Sequence, residues 1–154
     1  MTKILLSVHV LAAILAVGPV AVAASMFPAT LRRTAGDRDG ARSILGTLHR
    51  ICRIYSGIGV AVPVFGFATA SSLGVLGDAW LITSILLTTA AAGVLILAIL
   101  PGQDRVLTDM VSPGATPAPA ATTGRLAMTT GIFNLLWATV TVLMIIRPGS
   151  TTGA

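Results

Sequence analysis

Four apolar runs decide what this chain can become. Residues 4–27, 54–73, 79–100 and 126–146 are dominated by Ala, Val, Leu and Ile. Each is close to the ~20 residues a helix needs to cross a ~30 Å hydrocarbon layer. Lipid offers no partner to a backbone N–H or C=O, so a segment that crosses it satisfies those groups internally, as a helix. The expectation is an all-α membrane protein, a bundle of four transmembrane helices forming one domain over residues 1–154. Charge content agrees: only 10% of residues are charged, against roughly 25% in soluble domains. The net charge of +5 does not point to nucleic acid, because the arginines flank apolar runs, where they report membrane orientation.

The first run contains "SVHVLAAILAVGPVAVAAS", residues 7–25, which has two readings. Lys3 before it and Ala21-Val22-Ala23 near its end fit a cleaved secretory signal. Its length fits a retained span. The charge distribution favours the span. Residues 28–53 carry Arg32, Arg33, Arg38, Arg42, Arg50 and Arg53, and residues 101–125 carry Arg105 and Arg125. Only Lys3 and Arg147 lie on the opposite side. Positive charge concentrates in cytoplasmic loops, so both termini are expected to be extracytoplasmic, with Met1 to Ser25 retained, in a bacterial plasma membrane. Between the runs, "GVLGD" (74–78) reads as a tight turn with Asp78 as a helix N-cap, and Trp80 follows at interfacial depth. Residues 101–124, rich in Pro and Ala, read as a flexible linker.

Helices in lipid associate by close approach through small residues rather than by the hydrophobic effect. The stripes available are His9, Ala12 and Ala16; then Gly59, Gly66 and Ala70; then Gly131, Asn134, Ala138 and Thr141. All three are expected to face the bundle interior. A side chain at Gly66 should therefore be costly, and one at Gly74, in the turn, milder. Gly18-Pro19 and Pro63 each place a proline inside an apolar run and should kink the helix. Two kinked helices can leave a cavity between them, or simply pack differently.

Polar side chains inside the runs are few. His9 lies ~7 Å inside its boundary at 1.5 Å per residue. Two roles are open to it: an interhelical hydrogen bond, or ligation of a haem iron. Met144 is the potential ligand of matching depth. His49 lies near the opposite boundary, too far to share a metal with His9. Asn134 reads as an interhelical hydrogen-bonding residue. His49 and Cys52, at i and i+3, lie at the depth of Met26 and Met128. Imidazole with soft sulfur is the donor set of a copper(I) site, although His49 between Arg50 and Arg53 also suits a solvated interface.

Residues 3–28, "KILLSVHVLAAILAVGPVAVAASMFP", with the arginine-rich stretch after them, resemble a bacterial family of small four-helix membrane proteins of unknown function. The same helix is more loosely similar to the first helix of the CopD and HemJ membrane families, and the resemblance to HemJ-type proteins implies a haem-binding role for His9. The sequence thus carries three functional expectations. The first is a non-enzymatic accessory or complex subunit, with the bilayer and either further copies or other membrane proteins as partners. The second is a redox protein binding haem b at His9. The third is a small transporter, disfavoured because the five acids (Asp37, Asp39, Asp78, Asp104, Asp109) fall in loops or at helix ends and there is no Glu.

Overall fold

The computed structural model describes residues 2–33, 38–114, 116 and 118–149. Its elements are α1 (Thr2–Arg33), α2 (Arg38–Ile58), α3 (Ala61–Leu73), α4 (Ala79–Val94), a π-helical turn (Leu95–Ile99), α5 (Leu100–Asp109) and α6 (Ala120–Ile146). No strand occurs among the described residues. These elements form four rods, Lys3–Arg33, Asp39–Leu73, Ala79–Asp109 and Ala120–Ile146, each long and apolar enough to cross a membrane. The rods run up, down, up and down. One end of the bundle holds the start of α1, the turn at 74–78 and the end of α6; the other holds most of the arginines. The outer surface is apolar: Leu97, Leu135 and Ile145 are 78%, 70% and 73% exposed. A soluble chain rarely shows so much contiguous apolar surface.

The second and third rods are longer than the apolar runs imply. The expected start near residue 54 is corrected to Arg38, and the expected end near 100 to Asp109. The arginine-rich segment is a helix because its apolar residues fall at helical spacing: Ala41, Leu45, Leu48 and Cys52 are buried while Arg42, Arg50 and Arg53 are exposed. Of the expected flexible linker, residues 101–109 and 120–124 are helical. Ala115, Pro117 and Asp37 lie outside the described residues.

Each interior proline strips one carbonyl, four residues back, of its helical partner. Pro63 frees Gly59, and the helix breaks there: the Val62 N–H donates to the Gly59 carbonyl at 3.1 Å, one residue short of the regular spacing. This break separates α2 from α3. Pro101 follows the π-helical turn, in which the Leu100 N–H reaches back to the Leu95 carbonyl. The wider turn lets the rod continue past the proline. Pro28 frees Ala24, and the Thr130 hydroxyl of α6 donates to that carbonyl at 3.5 Å. Pro19 also lies within α1, which stays helical throughout.

The arginine half of the bundle is densely packed. Phe27, Leu45, Cys52, Ala91, Ile99 and Phe133 are fully or nearly fully buried there. Gly102 permits a close approach of α5 to α6, since a Cβ on it would stand 2.8 Å from Leu126 Cδ2. At the other end a smaller cluster, Ala70, Trp80 and Leu81 with Val75 and Met144, ties the turn to α6. Gly74 (φ 71°) ends α3 in the left-handed conformation, and the Val75 N–H returns to the Ala70 carbonyl at 3.2 Å. Gly74 is therefore a constrained position rather than the tolerant one expected.

Thr130→Val keeps the shape of the side chain and deletes the hydroxyl that serves Ala24. It should cost roughly 0.6 kcal/mol, the mean for an interhelical hydrogen bond in a membrane protein. Thr129→Val, whose hydroxyl bonds only within its own helix, should cost less. Unfolding of both variants in mixed micelles measures the difference.

Candidate functional site

The half of the bundle away from the arginines holds an open-sided cavity of about 1000 Å³ between α1, α3, α4 and α6. Its origin lies in which helices pair. α3 packs on α1, and α4 packs on α6, although α3 and α4 adjoin in sequence. The Ala70–Trp80–Leu81 cluster lies at the outer end, and Phe133 and Trp137, in edge-to-face contact at 6.4 Å, lie toward the packed half. The walls are almost wholly apolar. Leu6, Val62, Phe67, Leu81, Val140 and Met144 contribute to them.

His9 is the one histidine in that wall, whose other polar side chains are Thr69, Thr88, Thr89, Thr141 and, at the rim, Arg147. It is 8% exposed, on the α1 face that also buries Ala16 and Val20. Its ring packs against Gly66 of α3, where a Cβ would stand 2.8 Å from His9 Cε1. Nδ1 lies 2.9 Å from the Val62 carbonyl oxygen. A carbonyl only accepts, so Nδ1 carries the hydrogen and donates. Nε2 then presents its lone pair in the neutral ring. It has no hydrogen-bond partner among the described residues, and it is not among the sealed polar atoms. Val62 lies in the first turn of α3, just after the break, so the proline that frees Gly59 also sets the carbonyl that orients His9.

At the rim, Arg147 ends α6 with φ 45°. Its Nε donates to the Met144 carbonyl at 3.3 Å, and its guanidinium lies 5.6 Å from the centre of the Trp80 ring. Asp78 occupies the N-cap position of α4 but makes no side-chain cap bond; its Oδ2 accepts from Trp80 Nε1 at 3.0 Å.

The structure brings some of the sequence candidates together. His9 and Met144 both line the cavity, and Gly66 and Ala70 lie on the α3 face toward it. Gly59 does not mark a helix contact: a Cβ there would meet the carbonyls of Tyr55 and Ser56 in its own kinked turn. Gly131 faces outward into open space. The inward face of α6 is Thr123, Leu126, Thr130, Phe133 and Val140, about one residue's rotation from the small-residue stripe. Bulky rings, rather than small residues, fill the gap α6 must span. Asn134 donates through Nδ2 to Ser25 Oγ at 3.1 Å, while its Oδ1 is buried without a partner.

The soft-metal set is not gathered. Cys52 is fully buried against Val20, whereas Met26 and Met128 are 48% and 60% exposed. Among the described residues no group of three or more His, Cys, Asp or Glu is placed to hold a metal ion. His49 and Cys52 instead belong to a hydrogen-bond chain through Gln103, which is 1% exposed. His49 Nδ1 meets Gln103 Oε1 at 3.1 Å, and Gln103 Nε2 donates to Cys52 Sγ at 3.8 Å. Asp104 approaches His49 Nε2 at 4.0 Å but is largely exposed, so the pair contributes little. Gln103 follows a Pro-Gly pair that reads as a helix end, which is why sequence reasoning misses it.

Gly66→Leu must displace either the His9 ring or α3, an overpacking that should cost about 1–3 kcal/mol. Gly57→Leu, with nothing within 4 Å of its Cβ position, should be close to neutral, and equal thermal stability of the two in detergent would contradict the packing described. No family model, curated protein or solved structure matches this chain.

Proposed function

We propose that this chain is a multi-pass protein of the bacterial plasma membrane with both termini extracytoplasmic. In this reading it is a non-enzymatic accessory or complex subunit that holds an apolar, membrane-resident molecule between its helices. The observation that carries the reading is the cavity. Dense packing in one half of the bundle and about 1000 Å³ of apolar space in the other is the arrangement of a binding site rather than of a simple anchor. The orientation is supported by the arginines, eight of which (32, 33, 38, 42, 50, 53, 105 and 125) belong to the end away from the cavity.

A second reading is favoured by one observation. His9 and Met144 share the cavity wall, and His9 donates one ring nitrogen to a backbone carbonyl, as metal-ligating histidines do. In this reading His9 Nε2 and Met144 would hold a haem b, and the Val62 carbonyl would orient the imidazole. The haem would supply one-electron chemistry.

Native mass spectrometry of the protein purified from its own membrane should show a retained apolar molecule. Ala13→Phe, which fills the cavity wall, should release it; an unliganded wild type overturns the reading. The absorption spectrum of the same sample separates the two readings. A Soret band abolished by His9→Gln favours haem, and a flat spectrum favours the first. Reporter fusions after residue 40 should read cytoplasmic.

A further inference from the structure

Of the residues that line the cavity, Arg147 alone carries a permanent charge. It stands where the apolar run of α6 ends. Its backbone caps the helix through a bond to the Leu143 carbonyl, and the negative end of the α6 dipole favours a cation there. One of its donors, Nε, is spent on the Met144 carbonyl. Trp80 supports the guanidinium from one face. Among the described residues no carboxylate pairs with it; the one ion pair among them is His49 with Asp104, at the other end. Asp78, which shares Trp80 as a neighbour, has its Oδ2 engaged by the indole. A held guanidinium with free N–H groups, over an apolar shaft, is an incomplete ion pair.

Resting on the cavity reading above, we infer that the molecule bound is an amphiphile with an apolar chain and one acidic head. The head, a carboxylate or phosphate, takes the terminal N–H groups of Arg147 at the rim, level with the membrane surface. The chain runs inward past Met144 and His9 toward Trp137. Charge complementarity places the head, and the absence of any other charged wall residue excludes a second ionic group deeper in. A single-chain acid and an anionic phospholipid share this chemistry.

Both tryptophans of the chain, Trp80 and Trp137, line the cavity, so bromine on a bound chain quenches the protein's own tryptophan fluorescence. Brominated stearate, titrated into the full-length protein in nonionic detergent, should quench saturably and be displaced by unlabelled stearate. The brominated alcohol of equal length should bind about tenfold more weakly, the factor set by one charge-assisted contact. Arg147→Gln should remove that difference by weakening the acid alone, and Arg147→Lys should retain most of it. Competition by phosphatidylglycerol but not phosphatidylcholine assigns the head to a phospholipid; competition by neither, with stearate effective, assigns it to a single-chain acid. Equal binding of acid and alcohol, unchanged in Arg147→Gln, overturns the acidic head and leaves the cavity reading standing. No saturable quenching by either overturns both.

Discussion

Backbone carbonyls freed by proline organise this bundle. An interior proline leaves the carbonyl four residues back without its helical partner, and a neighbouring side chain or a local change of helix geometry can answer that loss in an apolar setting. Three solutions occur here. The Ala24 carbonyl takes the Thr130 hydroxyl from a neighbouring helix. The Gly59 carbonyl takes a shortened bond from Val62 and breaks the rod. The turn before Pro101 widens to a π-helix and keeps the rod intact. The first ties α1 to α6, the second separates α3 from α2, and the third carries Gln103 into the core.

The division of the bundle follows. Toward the arginines, α2, the π-helical turn and α5 bring Leu45, Ile99 and Val106 onto α1 and α6, and the interior fills. Beyond the break, α3 follows α1 while α4 follows α6, and the cluster at the turn joins α3 to α4 and α6. The space between the two pairs is the cavity. His9 spans the junction: its ring uses the room left by Gly66 and bonds the first turn of α3. One contact thus ties α1 to the first turn of α3 and leaves the other imidazole nitrogen without a hydrogen-bond partner among the described residues.

Much of this is legible in the residues, and the failures have physical causes. Four uninterrupted apolar runs can hardly be anything but helices long enough to cross a bilayer. The first part of α2 escapes because a search for wholly apolar windows passes over an amphipathic helix, although Ala41, Leu45, Leu48 and Cys52 carry the period. Pro101-Gly102 signals a stop by every local rule, and only the π-helical turn, whose bonding depends on the surrounding packing, overrides it. The small-residue rule finds the right face of α3, where Gly66 meets His9, and the wrong face of α6, where Phe133 and Trp137 fill space instead. That difference depends on how far apart two helices stand, which no single helix encodes. The cavity is legible only as the consequence a kinked pair can have, and Arg147 only as a flanking charge.

The hydrogen bond from His9 to Val62 is where the break, the α1–α3 contact and the cavity wall meet. It dictates a tautomer, and nitrogen-15 NMR of ring-labelled histidine in the reconstituted protein reads it directly, with His49→Gln used to assign the two rings. For the neutral His9 ring the account predicts a protonated Nδ1 and an unprotonated Nε2. A His9 ring protonated at Nε2, with Nδ1 bare, would mean that no hydrogen bond reaches the Val62 carbonyl, and would contradict it.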